Sequence, residues 1–207
     1  MKIIKDNCYK GTRILLGNEK RELIDKMIAI AKNAGFTEIQ IPIIQLTSIF
    51  HSKVGEENTQ MMYTFTDRGN RDICLAPEYT AVVQQLAKER FKYEKDVKLF
   101  YVQECFRGEN PQSGRYRQFT QFGVEVLNPS EPCNLSNLAV ALIELVTADF
   151  ELNGNVVRGL DYYKEGKGFE IRCPELGSVS QVCGGGEYDG GVGFAIGIDR
   201  LLLLTKS

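Results

Sequence analysis

The run from Leu99 to Leu127 constrains the fold more than any other stretch of this 207-residue chain. Lys98 leads into two segments with strand-like alternation, separated by a loop rich in Gly, Pro, Asn and Ser. In the first segment Phe100, Val102, Glu104 and Phe106 share one face, and Leu99, Tyr101, Gln103, Cys105 and Arg107 share the other. In the second, Arg117, Phe119, Gln121, Gly123 and Glu125 oppose Gln118, Thr120, Phe122, Val124 and Val126. Asn110-Pro111 and Ser113-Gly114 mark the connection, so the pattern predicts a long-looped antiparallel hairpin.

The charges in this hairpin are out of keeping with its apolar strands. Arg107, Glu109, Arg115, Arg117, Gln121 and Glu125 lie in and around segments otherwise apolar enough to be central. A buried charge is costly unless it is paired or meets a ligand. Two readings are open: an edge hairpin with a wet polar face, or a floor for a zwitterionic or phosphorylated ligand. Cations and carboxylates recurring on one face beside Gly123 favour the second.

Length suits one domain over residues 1–207. Hydrophobic content of 43% and charged content of 25% fit an ordinary soluble globule. The net charge of −2 gives no bulk attraction to nucleic acid, although a local basic rim is compatible with it. The six cysteines (Cys8, Cys74, Cys105, Cys133, Cys173 and Cys183) include no CxxC pair, and His51 is the one histidine, which argues against zinc. Their apolar neighbours predict small core residues in a reducing, cytoplasmic setting. No signal-peptide pattern is present and no apolar run is long enough to span a bilayer, so no membrane partner is expected.

Residues 1–17 read as irregular, with Gly11-Thr12-Arg13 as a turn. Asn18 is a candidate cap for a helix to about Asn33, with Leu23, Met27, Ile30, Ala31 and Ala34 on one stripe and Gly35 at its end. Ile39–Ile44 reads as a strand whose Pro42 places it at an edge or interface. A short helix follows over Thr47–Val54, then strands over Met61–Asp67 and Asp72–Leu75, and a helix over 79–91. Beyond the hairpin, Asn134 or Ser136 starts a helix to about Leu152, closed by Asn153-Gly154-Asn155. Val156-Val157, Gly168–Cys173 and Ser178–Cys183 read as strands, and Gly193–Thr205 as a buried helix. Gly184-Gly185-Gly186 permits either close backbone approach to a ligand or a tight turn. His51 reads as a loop residue.

The hairpin sequence FRGENPQSGRYRQFTQFGVE resembles motif 2 of class II aminoacyl-tRNA synthetases, in the form found in histidyl-tRNA synthetases. RGLDYY (Arg158–Tyr163) and GGGEYDGG, followed by GFAIGIDRLLLL, resemble the two histidine-specific signatures and motif 3. Several long motifs in order make a specific signal. The helix before Pro42, the strand and TSIF resemble motif 1, which forms the family's dimer interface; a helix packing on its own sheet is the plainer reading. EENTQMMYTFTDRGNRDICLAPEYTA resembles the region ending LRPEGTA, with Ala76 in place of arginine and Tyr79 in place of glycine. Glu187 replaces another family arginine, and Lys164–Gly168 carries one extra residue.

The resemblance implies an α+β fold, an antiparallel sheet of about six strands flanked by helices, acting as a homodimer. Glu125 and Arg158 stand only 33 positions apart, so the family's helical insertion has no counterpart, nor does its C-terminal anticodon-binding domain. The implied reaction joins a histidine carboxylate to the α-phosphate of ATP, with Mg²⁺ bridging phosphates, and expels pyrophosphate. By the same resemblance, Arg107 meets the α-phosphate and the substrate carboxylate, Glu109 the adenine amino group and Arg115 the γ-phosphate. Arg200 clamps the triphosphate from the far side, Phe119 completes the ATP site and Arg158 stands near the α-phosphate.

Glu78 and Thr80 match the substrate-amino region, although Glu78 equally suits a helix N-terminus. Gln121, Glu125, Tyr163 and Tyr188 would read the histidine side chain; the tyrosines also suit a core with wet hydroxyls. No metal ligands are implied. The acceptor is a tRNA end or another molecule. The rival expectations are a regulatory paralogue that binds histidine without charging tRNA, and a core excised from a larger enzyme.

Overall fold

The structure is a computed structural model, and it describes residues 1–51, 59–156 and 163–206. The N-terminal segment is more ordered than its sequence predicts. β1 (Lys2–Ile4) and β2 (Ile14–Leu16) pair antiparallel, with Ile3 opposite Leu15. α1 (Glu19–Asn33) buries Leu23, Ile24, Met27 and Ala31. Asn18 sits at its N-cap, but its side chain makes no capping bond. At the other end the Phe36 amide reaches the Ala31 carbonyl and the Gly35 amide that of Lys32, the double closure that a left-handed glycine (φ +84°) allows.

The expected strand at Ile39–Ile44 is divided. β3 (Thr37–Glu38) lies parallel to the large sheet, while β4 (Ile44–Leu46) joins a small one, and Pro42 lies in the crossing between them. A short 3₁₀ turn covers Thr47–Ile49; the rest of the helix expected to Val54 lies mostly outside the described residues. β5 (Tyr63–Thr66) and β6 (Asp72–Leu75) complete the small sheet in the order β4-β6-β5. α2 (Thr80–Glu89) follows.

The hairpin forms as its alternation predicts. β7 (Val97–Phe106) and β8 (Gln118–Leu127) pair with Tyr101 opposite Gly123 and Gln103 opposite Gln121. α3 (Ser136–Ile143) is half the length expected, because the chain reverses and Glu151–Val156 is drawn into the sheet as β9. Asn153-Gly154-Asn155 is therefore strand, with Asn155 at φ +56° absorbing the irregularity beside a register shift. β10 (Tyr163–Arg172) and β11 (Gln181–Tyr188) follow.

The last expected helix is corrected at its front half. Gly191–Gly197 is β12, hydrogen-bonded on both sides; the α-helix, α4, covers Ile198–Leu201, and a 3₁₀ turn follows at Leu204–Lys206. Alternation of Val192, Phe194 and Ile196 against glycine and alanine is a period of two, which suits a central strand. A helix would have placed those glycines in its interior at a cost of about 1 kcal/mol each.

Among the described residues one sheet runs β3-β7-β8-β12-β11-β10-β9, antiparallel throughout except for β3. Phe100, Phe122, Val124, Phe194, Ile196 and Ile171 pack with Leu23 and Met27 of α1 and Leu142 of α3 in one core. Leu99, Tyr101, Cys105 and Leu127 pack with Ala81 and Val83 of α2 and Cys74 of β6 in a second. The architecture is α+β, and the sheet face bearing the second core also bears the hairpin's charges. No described helix is long and apolar enough to cross a membrane.

Candidate active site

The site is built on a floor with almost no side chains. One cross-strand row runs Tyr101, Gly123, Ala195, Gly184, Glu170; the next runs Leu99, Glu125, Gly193, Gly186, Gly168. The large residues of β7 and β8 reach over these gaps. A Cβ on Gly123 would fall 2.0 Å from the Tyr101 ring, and one on Gly193 would fall 1.7 Å from a Glu125 carboxylate oxygen. The glycine run at 184–186 is thus strand backbone approached by other groups, and the tight-turn reading is set aside.

A cleft of about 500 Å³ opens above this floor, lined by Glu78, Thr80, Arg107, Glu109, Arg115, Phe119, Gln121, Tyr163 and Arg200. Nine of the residues singled out from sequence therefore converge on it. They come from the start of α2, the hairpin loop and its second strand β8, β10 and α4.

One end of the cleft is cationic. The Arg107 side chain donates through Nε to the Pro77 carbonyl at 2.9 Å, lies 3.9 Å from Glu109 and stands 5.2 Å from the Phe119 ring centre. Arg115 closes a tight reverse turn with Gln112, made possible by Gly114 at φ +77°. Arg200 donates Nε to the Gly114 carbonyl at 3.0 Å and a second nitrogen to the Gln181 carbonyl. Burial lowers the pKa of Arg200 from its usual value, opposed by Glu109 and reinforced by Arg115 and Arg107. Three cations with few protein carboxylates between them are a receptor for an anion with several charged oxygens.

The other end is dry. Glu125 is fully buried and does not line the cleft; it accepts the Thr80 hydroxyl on one oxygen and the Tyr188 hydroxyl on the other, each at 2.8 Å. Burial pushes its pKa up to about 8, against the pull of these two hydroxyls and with Glu78 adding repulsion. Tyr188 is equally buried, so this pair forms a layer beneath the wall made by Thr80 and Glu78. Glu78 accepts the Ala81 amide at 3.0 Å, so its helix-capping role is real while the residue still faces the cleft. Gln121 accepts the Cys105 thiol at 3.2 Å.

Arg158 lies outside the described residues. The departures noted in the sequence are accommodated locally. Tyr79 is fully buried, donates its hydroxyl to the Glu104 carbonyl at 2.9 Å and packs at 5.5 Å against Tyr101, in the core that also holds Ala76. Tyr163 pairs with Tyr188 and Gly168 with Gly186, so Lys164–Lys167 bulge opposite the single residue Glu187. There Glu187 lies 3.8 Å from Lys167. Sequence reasoning passed over Tyr101, which its alternation had placed on the correct face, and Glu170, a buried carboxylate held by Arg172 at 2.6 Å.

This sheet and cleft are those of a class II aminoacyl-tRNA synthetase core. An apo histidyl-tRNA synthetase from S. aureus superposes with a TM-score of 0.75 and 28% identity, covering 97% of this chain and 70% of that one. The family model for histidyl-tRNA synthetase matches residues 17–153, and the chain belongs to that family. A histidine–tRNA ligase of Methanococcus vannielii is 38% identical over 151 residues, 70% of this chain and 36% of that protein. One of Desulfitobacterium hafniense is 28% identical over 310 residues, covering 95% of this chain and 73% of that protein. That alignment is longer than the 207 residues available here, so the relative carries segments that this chain lacks.

Proposed function

We propose that the chain activates histidine with ATP, forming histidyl-adenylate and releasing pyrophosphate, and passes the histidyl group to a tRNA end or another acceptor. The observation that carries this reading is the convergence of Arg107, Arg115 and Arg200 on one cleft whose far end is a buried carboxylate–hydroxyl cluster. A carboxylate oxygen of the amino acid attacks the α-phosphorus, and the bond to the β-phosphate breaks with its electron pair leaving on pyrophosphate. The work of the protein is alignment and charge neutralisation, because the reactants supply nucleophile and leaving group.

Arg107 holds the α-phosphate against the attacking carboxylate. Arg115 and Arg200 grip the outer phosphates, Glu109 and Phe119 hold the adenine, and Arg158 adds a cation near the reacting phosphorus. Glu78 and Thr80 take the substrate ammonium. Gln121 and Tyr163 face the imidazole directly, with Glu125 and Tyr188 behind them setting which proton arrangement is tolerated. ATP enters as its magnesium complex. Among the described residues no group of three His, Cys, Asp or Glu side chains is placed to hold a metal; magnesium would come with the nucleotide and add charge neutralisation at its phosphates.

A homodimer accounts for the small sheet. Ile44, Leu46 and Phe65 occupy one face of it, each more than two-fifths exposed. In this reading a second copy covers them in a reducing cytoplasm; Leu46→Glu would then halve the sedimenting mass.

The deciding experiment is ATP–pyrophosphate exchange with each standard amino acid, beside an Arg200→Ala control. Exchange with histidine alone, lost in the control, supports the reading. Exchange with another amino acid would discard the pocket assignment. Binding of histidine without exchange would mean a regulatory protein.

A further inference from the structure

A segment far from the hairpin in sequence reaches under both walls of the cationic end. The Arg13 guanidinium lies 3.4 Å from the centre of the Tyr116 ring and forms an ion pair with Asp199. Both partners of that pair are dry, with side-chain exposures of 5% and 3%. Tyr116 is the neighbour of Arg115 and lines the cleft; Asp199 is the neighbour of Arg200. One buried cation therefore touches the residue beside each of two arginines that line the cleft.

The surroundings reinforce this arrangement. The second Asp199 oxygen accepts the Thr120 amide, next to Phe119. Lys20 lies 3.2 Å from Asp199 and 3.6 Å from Glu104, whose carboxylate accepts the Thr120 hydroxyl. The chain just ahead of Arg13 is fastened to the same loop. The Gly11 carbonyl accepts the Arg117 amide at 2.8 Å, and Arg117 donates to the Tyr9 hydroxyl at 2.8 Å while lying over its ring. Gly11, at φ +89°, has no room for a side chain, since a Cβ would meet Arg117 at 2.8 Å.

Arg107, Arg115 and Arg200 repel one another when no anion separates them; the pKa of Arg200 is lowered mainly by burial, and Arg115 and Arg107 add to that lowering. A brace that ties Tyr116 to Asp199 resists the splaying that such repulsion favours. A cation stacked on an aromatic ring and paired to a dry carboxylate is well placed to hold a fixed spacing.

We propose that Arg13 is a positioning residue for the triphosphate: it sets the distance between Arg115 and Arg200 by joining Tyr116 to Asp199 from beneath. The inference rests on the assignment of ATP to this cleft. It predicts a selective defect, because the partners of Arg13 among the described residues, Tyr116 and Asp199, lie at the cationic end.

The test compares wild type, Arg13→Gln and Arg13→Lys by calorimetric titration with Mg·ATP and with histidine, and by pyrophosphate exchange. Arg13→Gln should weaken ATP binding and raise its KM about tenfold, while the histidine Kd changes less than about twofold. Arg13→Lys keeps the charge but loses the flat stack on Tyr116, and should recover part of the loss. If Arg13→Gln does not fold, Arg13→Lys carries the test alone, with an ATP Kd raised about threefold expected. An unchanged ATP Kd in the folded variants would overturn the proposal, as would equal weakening of ATP and histidine. Wild type that binds no ATP would instead remove the ATP assignment itself.

Discussion

The two ends of the cleft solve the problem of charge in opposite ways. At the cationic end the guanidiniums keep their charge, turn spare N–H groups to the backbone carbonyls of Pro77, Gly114 and Gln181, and face an open space. At the other end Glu125 is sealed from water, its oxygens accept the Thr80 and Tyr188 hydroxyls, and burial raises its pKa to about 8, which favours the neutral form. One end is arranged to meet a charge brought from outside. The other is arranged around a proton already inside. Substitutions should accordingly show themselves as lost turnover at the first and as altered stability at the second.

The sharpest separation comes from Arg107→Ala. It should cut pyrophosphate exchange roughly a hundredfold to a thousandfold, as removal of a transition-state charge partner does, with little change in melting temperature. A large fall in melting temperature would show that the cationic end is structural after all. Gly123→Ala tests the floor beneath. The Tyr101 ring is fully buried and boxed in by Tyr79, so it cannot yield to a methyl group. The variant should lose about 3 kcal/mol of unfolding free energy, read from urea midpoints.

Glu125→Gln probes the dry end through pH. The folded pKa of Glu125 is raised to about 8 from an ordinary value near 4.5, so between these limits the folded chain binds the extra proton. Wild type should then lose stability as pH rises through that window, at up to roughly 1.4 kcal/mol per unit, with no penalty from this group below it. Glu125→Gln should lack that slope; parallel profiles would show that Glu125 is ionised in the fold. The smallest effect expected is that of Arg115→Lys. It keeps a cation on the hairpin-loop side of the cleft and should raise the ATP KM about threefold while leaving stability unchanged.

Much of this was legible because a strand with one buried face writes its period into the sequence. The alternation of 99–107 and of 117–125 sorted the hairpin residues onto two faces, and those faces are the ones the structure shows, one of them carrying the site. The same signal was misread at Gly193–Gly197. There the adjoining Leu201–Leu204 lent the run a helical look, and the meaning of glycine depended on Glu125 lying across it. Asn153-Gly154-Asn155 has the composition of a turn, yet pairing with β10 overrides that preference. At the site, the residue types were legible but their depth was not. Nothing local to Glu125 or Tyr188 reveals that Thr80, from a separate helix, closes over them. The Arg13 brace was invisible for the same reason, since its partner lies 186 positions away.

That separation has a consequence for how the molecule is made. A ribosome extends the chain from its N-terminus, so Arg13 is exposed long before Asp199 has been synthesised. Once the hairpin forms, residues 9–13 can meet Tyr116 and Arg117, but the Arg13–Asp199 pair at the cationic end is completed last. A nascent chain of this protein passes through a stage in which the hairpin exists but the Arg13–Asp199 pair does not.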